Sequence, residues 1–218
     1  MQETSITEKG LSHLKGMTGL EELDLGSTNV GDEGLSSLKG LKNLQKINLS
    51  KTTVTDKGME QLEGLKNLQD LYVNGLSISD EGLERIGHLK ELRSLFADSP
   101  KITDAGLKHL SGLTKLQGLT LVGSRVTGEG LAYLTGATDL TVLSLQKTSI
   151  KDDDLKILRK FTELNLLDLG GTAVTDKGVP HLKGLTNLRL LYLTGTKVSP
   201  SGLEEIQKAL PQTGIFPP

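Results

Sequence analysis

One frame of 24 residues recurs eight times along this 218-residue chain, with no insertion or deletion. Its opening leucines are Leu20, Leu44, Leu68, Leu92, Leu116, Leu140, Leu164 and Leu188. Each begins the pattern Leu-x-x-Leu-x-Leu, with Ile47, Val73 and Ala97 as the mild departures. A fixed period of this length admits few architectures. Each unit must be one supersecondary element that buries its apolar face only by stacking on copies of itself, which is a solenoid. Length alone would suggest one or two globular domains, but no linker or shift in composition interrupts the frame. Residues 1–218 therefore read as a single domain, with part of a repeat over 1–19, eight repeats over 20–211 and a cap over 212–218.

Within the repeat of residues 44–67, Ile47 and Leu49 alternate with Lys46, Asn48 and Ser50, the period-2 signature of a short half-buried strand. Stacked copies would form a parallel sheet with strands about 4.8 Å apart. Thr52 follows at the corner, with Thr28, Thr148, Thr172 and Thr196 as counterparts and Ser124 close in chemistry. A hydroxyl there can bond to the turn or to the neighbouring coil. Leu76 and Pro100 interrupt the column in the third and fourth coils. Val54 is apolar in every coil and should point inward. Thr55 reads as a helix N-cap and Asp56 as a first-turn acid near the partial positive charge of the helix start. Met59, Leu62 and Leu65 share one helix face. Gly58 recurs as Gly10, Gly34, Gly82, Gly106, Gly130, Gly178 and Gly202, where a missing side chain lets the helix lie close to the next coil. Asp154 breaks this column, so the sixth coil should pack differently. Gly40, Gly64, Gly112, Gly136 and Gly184 are expected to close the helix as C-terminal glycines do.

These residues resemble the leucine-rich-repeat family, in the variant ending (V/I)-(T/S)-D-x-G-L. VTDKGM, ISDEGL, ITDAGL and VTDKGV are the nearest matches. The ending is similar to the cysteine-containing repeats found beside F-boxes and to bacterial repeat proteins, with threonine here in place of cysteine. The resemblance spans essentially the whole chain. It implies an α/β fold, a right-handed leucine-rich-repeat solenoid with a concave parallel sheet and short helices on the convex side. It also implies an interaction scaffold rather than an enzyme. No F-box motif accompanies the repeats, so a ubiquitin-ligase-like role is not carried over.

The ends carry their own signals. Thr4 to Leu11 matches the second half of a repeat, so the chain begins inside a coil, as a domain cut from a longer protein or one with an atypical cap would, the first being favoured. Leu203 to Pro211 reads as a longer helical turn stopped by proline, and Ile215 falls where a ninth strand would place its second apolar residue. Pro217 and Pro218 would blunt that edge.

Composition narrows the function. With 25 basic and 27 acidic residues, a formal charge of -2 and no Lys/Arg run, phosphate-driven nucleic-acid binding is disfavoured. There are no cysteines, which excludes disulfides and thiolate metal sites and fits a reducing compartment. No apolar run approaches the ~18 residues of a membrane span, and polar residues rather than a secretion signal follow Met1, which favours a cytoplasmic location.

Core positions are fixed by packing, so information can differ between coils only at the outward strand positions. One column reads Asp24, Asn48, Tyr72, Phe96, Thr120, Ser144, Asp168, Tyr192. The other reads Glu22, Lys46, Asp70, Ser94, Gly118, Val142, Leu166, Leu190. Three of the chain's six Phe and Tyr residues fall in the first column, a concentration that points to binding anchors. Tyr72 and Phe96 would lie on adjacent strands, either as a partner site rimmed by Lys46, Asp70 and Asp98 or as rings packed on each other and on Lys46. Val142, Leu166 and Leu190, with Tyr192 beside them, form an apolar column whose exposure to water would be a liability. A partner, a second copy or a further segment of chain would cover it.

Metal and catalytic signals are poor. His13, His109 and His181 share a frame position but lie at least three coils apart, too far for one ion, and His88 is alone. The rail of Asp32, Asp56, Asp80, Asp104, Asp152 and Asp176 could hold calcium, but helix capping accounts for it without a ligand. No nucleophile elbow, zinc-protease helix, Cys/His pair or phosphate-binding loop occurs. Asn48-Leu49-Ser50 fits a glycosylation acceptor but lies on a strand. The sequence thus predicts a scaffold without cofactor that binds a protein, not nucleic acid or membrane, through the concave sheet. It would be a monomer or weak homo-oligomer. The alternative is an assembly module that self-associates or packs on a further part of a longer chain through Val142, Leu166 and Leu190, and after it a substrate-recognition domain of a larger ubiquitin-ligase-like or effector protein.

Overall fold

The computed structural model of the protein describes residue 6 and residues 8–218. Thr4, Ser5 and Thr7 of the expected partial coil lie outside them. Nine strands of three residues each form one sheet: β1 Glu22–Asp24, β2 Lys46–Asn48, β3 Asp70–Tyr72, β4 Ser94–Phe96, β5 Gly118–Thr120, β6 Val142–Ser144, β7 Leu166–Asp168, β8 Leu190–Tyr192 and β9 Gly214–Phe216. They run in chain order, each parallel to the next. The register never slips: Leu23 pairs with Ile47, Leu71 with Leu95, and Leu191 with Ile215. Period in the sequence has become register in space. A one-residue slip would turn the buried middle residue outward, so burial fixes the pairing. Ile215 takes the place foreseen for it in the ninth strand.

Opposite the sheet, each coil closes through a short helix or 3-10 turn. Asp56–Glu60, Asp80–Ile86 and Asp104–His109 are examples, and the last helix, Pro200–Ala209, is the longest α-helix. Between the two walls lies one continuous core of leucines with almost no exposure. Where Ala137 is small, the next coil's counterpart is Phe161, the largest fully buried side chain. Such a small-large pair keeps the total volume of the column nearly constant.

Three joints tie coil to coil, and the aspartate rail is the principal one. Each Asp reaches across to the next coil's N-cap. Asp80 accepts from the Thr103 amide at 2.8 Å and hydroxyl at 2.7 Å, and Asp104 does the same for Thr127. Asp32, Asp56, Asp152 and Asp176 serve Thr55, Ser79, Thr175 and Ser199. Capping alone is therefore not their role. At Ser79, Thr103, Thr127, Thr175 and Ser199 the hydroxyl donates to the preceding coil while its lone pair accepts from its own helix, as when Ala105 N bonds to Thr103, whereas Thr55 stands at the N-cap position and donates to Asp32 without capping its own helix. This joint also explains the glycine column. A Cβ at Gly58 would lie 2.6 Å from Asp32 Oδ1, and one at Gly178 only 2.8 Å from Asp152 Oδ1. The glycine leaves room for the carboxylate.

The sixth coil departs from this pattern, and the departure is reciprocal. Gly128 stands where the rail calls for aspartate, and Asp154 stands where the next coil's glycine belongs. Asp154 sends its carboxylate the other way, accepting from Gly128 N at 3.0 Å and from Lys151 N at 2.8 Å. Its helix becomes a 3-10 segment, Asp152–Lys160.

Asparagines make the second joint. Asn43, Asn67 and Asn187 donate from Nδ2 to the carbonyls of Thr18, Lys42 and Thr162 in the preceding coil. The third joint is a backbone corner that follows seven of the nine strands, β4 and β9 excepted. Ser27, Lys51 and Lys147 adopt φ of 56–58° there, and Gly75, Gly123, Gly171 and Gly195 take the same left-handed region. This column was not read from the sequence, although its four glycines are spaced in the frame.

One expectation changes and one is narrowed. Gly40, Gly64, Gly112, Gly136 and Gly184 are not left-handed caps; of the glycines in that column only Gly16 has positive φ. The helices end in turns that any residue can adopt, and His88 and Lys160 occupy the same column. The threonine hydroxyls bond within their own turn, three residues back, as Thr52 does to the Leu49 carbonyl at 2.7 Å. The column is also broken in the fifth coil, where Ser124 Oγ is buried without a partner.

Candidate interaction surface

On the outward face of the sheet, the first and third residues of every strand form two columns. The third-residue column now has nine members, because Phe216 in β9 continues Asp24, Asn48, Tyr72, Phe96, Thr120, Ser144, Asp168 and Tyr192. Four of the six Phe and Tyr residues therefore lie on this one line. Tyr72 and Phe96 stack with centroids 4.5 Å apart and planes 13° from parallel. Tyr192 and Phe216 stack at 4.3 Å and 9°. The spacing of adjacent strands sets both pairs. Phe216 was missed in the sequence, yet it stands one period after Tyr192.

Around Tyr72 the surface is polar and shaped. A hollow of about 500 Å3 is lined by Glu22, Leu23, Asp24, Lys46, Asn48 and Tyr72. Lys46 Nζ lies 5.9 Å from the Tyr72 ring centre and 3.7 Å from Glu22 Oε2. Asp24 Oδ1 accepts from Gly26 N at 2.8 Å and Asn48 Nδ2 at 2.9 Å, while Asn48 Oδ1 accepts from Ser50 N. These bonds hold the floor of the hollow in one arrangement. Asp70 sits in register between Lys46 and Ser94 and is half-buried. Asp98 Oδ1 is committed to the next coil, accepting from Thr120 Oγ1 at 2.8 Å and Val122 N at 3.0 Å.

The apolar column is less open than its sequence suggested. Val142, Leu166 and Leu190 are in register across β6, β7 and β8, and each is half-buried by its neighbours. Phe216, at 44% exposure, is the large apolar side chain that this end presents to water. Tyr192 beneath it is half-buried.

The helix side holds the acids Asp152, Asp153 and Asp154, and each already has a partner: Thr175, Lys156, and Gly128 with Lys151. A hydrogen bond and the positive charge of Lys156 hold the Asp153 carboxyl below its usual range. Among the described residues no group of three or more His, Cys, Asp or Glu side chains could hold a metal ion. His13, His88 and His109 are exposed and His181 is half-buried.

In the rail, the Asp176 carboxyl is held below the usual aspartate range by the hydroxyl and then the amide of Ser199. A depressed folded-state value means that its contribution to stability is present above the unfolded value, about 3.9. That contribution is lost as pH falls through the folded value. Asp176→Asn is therefore expected to be less stable than the parent at neutral pH, with the gap closing below about pH 4. Denaturant midpoints measured against pH check this; parallel curves down to the lowest pH would contradict it.

A register-locked parallel sheet, a leucine core and a 24-residue period define a leucine-rich-repeat solenoid. The chain is built of leucine-rich repeats: the family model described as leucine rich repeat matches residues 18–78. Among solved structures, the chain is similar to internalin C2 of Listeria monocytogenes, with 25% identity and a TM-score of 0.72, covering 96% of this chain and 84% of that one. It is also similar to a leucine-rich-repeat protein of Leptospira interrogans, with 23% identity and a TM-score of 0.70, covering 97% of this chain and 57% of that one. A second Listeria monocytogenes internalin aligns at 19% identity and a TM-score of 0.53, over 94% of this chain and 76% of that one. No curated protein matches the sequence. Proteins of this class are protein-interaction scaffolds. Among the described residues, no helix is long and apolar enough to cross a membrane.

Proposed function

We propose that the protein captures a protein partner on the concave face of its sheet, with Tyr72 and Phe96 as the central anchor. The observation that carries this is the stacked pair itself, two aromatic rings standing half-buried on an otherwise polar part of the sheet. Large rigid rings of this kind contribute most of the binding energy in many interfaces. Lys46, Asp70 and Asp98 form the rim, Asp98 mainly by fixing the fourth coil against the fifth. Glu22 and Asp24 outnumber Lys46 in the lining of the hollow, and Asp70 stands in register beside Lys46, so a basic side chain of the partner suits it. No nucleic acid, membrane, cofactor or catalysis forms part of this role.

The test compares the parent with the double variant Tyr72→Ala, Phe96→Ala as bait in the same lysate, followed by affinity measurement on the species captured. Equal capture by both would move the site elsewhere on the molecule.

A second reading rests on the other aromatic pair. Val142, Leu166 and Leu190 run up to Tyr192 and Phe216, and a second copy seated there would cover the exposed Phe216 ring. Sedimentation over a wide concentration range separates the two. Self-association that disappears in Phe216→Ser supports assembly, and a single monomeric species at every concentration sinks it.

A further inference from the structure

We propose that Asn74 is a site of self-modification, at which the protein converts its own asparagine to aspartate and isoaspartate without an enzyme. Seven asparagines occur in the chain; six are followed by leucine or valine, and Asn74 alone is followed by glycine. Glycine leaves the amide nitrogen uncrowded, so the following backbone can fold onto the asparagine side chain. The structure adds what the dipeptide alone does not reveal. At five equivalent corners the left-handed residue ties its amide to the next coil: Ser27 to Ser50 O, Lys51 to Asn74 O, Gly123 to Gln146 O, Lys147 to Gly170 O and Gly171 to Thr194 O. Among the described residues the Gly75 amide makes no such bond. The carbonyl that would receive it is that of Asp98, in the irregular corner Asp98-Ser99-Pro100, where Ser99 donates its hydroxyl to the Ile78 carbonyl. The neighbouring Asn74 Oδ1 is buried without a hydrogen-bond partner. An unbonded amide beside an unbonded side-chain carbonyl is an uncommon pairing in a packed protein.

The chemistry balances with water as the only co-reactant. The Gly75 nitrogen attacks Asn74 Cγ and forms a new N–C bond. The Cγ–Nδ2 bond breaks, and the proton lost from the Gly75 nitrogen is matched by one gained by the departing ammonia. Water then opens the five-membered imide at either carbonyl. Opening at Cγ gives aspartate, and opening at the backbone carbonyl gives isoaspartate, with the main chain rerouted through the side chain. Gly75 is exposed, so solvent reaches the corner. The product places a carboxylate beside Asp98 in the column flanking Tyr72 and Phe96. The isoaspartate form lengthens the chain at the carbonyl that accepts the Lys51 amide.

Three full-length proteins test this after storage in warm, mildly alkaline buffer, by peptide mapping with isoaspartyl-specific methylation. The parent is expected to convert at Asn74 and not at its other asparagines. Asn74→Gln is expected to remain unconverted and folded, because Gln146 occupies the same position two frames and one more along the chain. The third protein carries Gln146→Asn with Lys147→Gly, the same dipeptide at a corner whose amide is held at 2.7 Å by the Gly170 carbonyl. Conversion there should be slower by about two- to tenfold, the factor set by first breaking one backbone hydrogen bond. An unconverted Asn74 overturns the proposal. Equal rates at the two corners overturn the role given to the free amide.

Discussion

Gly128→Asp alone is expected to destabilise the protein by about 2–3 kcal/mol, and Asp154→Gly alone by about 1–2 kcal/mol. Made together, the two changes should leave it within about 1 kcal/mol of the parent. The first substitution drives a side chain into occupied space, since a Cβ at Gly128 would lie 2.9 Å from both Asp154 Cα and Asp154 Oδ1. It also sets one carboxylate against another. The second removes the acceptor that serves the Gly128 and Lys151 amides. The double variant restores the geometry of the joint between Asp104 and Gly130, in which the aspartate comes from the earlier coil and the glycine from the later. Only the hydroxyl is then missing, because lysine rather than threonine occupies position 151. Denaturant unfolding of the four proteins gives the coupling directly. Additive losses would mean that the aspartate–glycine pairing between coils is not the unit of assembly.

The largest effect on binding should come from the aromatic pair. Removal of both rings by Tyr72→Ala and Phe96→Ala is expected to weaken partner capture by about 2–4 kcal/mol, which is roughly 30- to 1000-fold in affinity. Because the rings stack on each other and are half-buried, folding stability should also fall, by about 1 kcal/mol. That loss is too small to unfold a chain with so continuous a core, so binding measured at moderate temperature reads the surface and not the fold. A useful comparison is Tyr192→Ala with Phe216→Ser, which removes the other stacked pair. If that variant loses the partner while the first retains it, the recognition site belongs at the far end of the sheet.

Much of the fold was legible because the period is unbroken. Leu23, Ile47, Leu71 and Leu95 could be aligned by counting, and the register follows the same count. The ninth strand is visible through Ile215, but Gln212 and Pro217 replace the other two leucines of the frame, so the pattern does not by itself carry the outward column on to Phe216. What the sequence could not disclose lies between coils. Asp56 looks like a helix-capping acid when one repeat is considered alone; its partner Ser79 lies 23 residues away and in space belongs to the next coil. The same holds for Asn43 and Asn67, whose donors reach back to the preceding coil. Gly128 and Asp154 appear as two unrelated irregularities until the coils are stacked. The left-handed corner was hidden for another reason: lysine and serine fill some of its positions, and backbone sign is not written in a side chain.

On the outer face, sequence placed the aromatic and aliphatic columns correctly but misjudged their exposure. Counting outward positions treats each residue as standing alone, whereas neighbours one strand apart cover one another. Thus Leu166 between Val142 and Leu190 is half-buried, and the ring most open to water is Phe216 at the edge strand.

The absence of cysteine from the sequence allows a direct test of which face binds. Single cysteines introduced by Ser94→Cys in β4 and by Glu84→Cys on the helix Asp80–Ile86 place one thiol on each side of the same part of the solenoid. With a short thiol-reactive cross-linker, the captured partner should join to the Ser94→Cys protein and not to the Glu84→Cys protein. Cross-linking from the helix side alone would contradict recognition through the sheet.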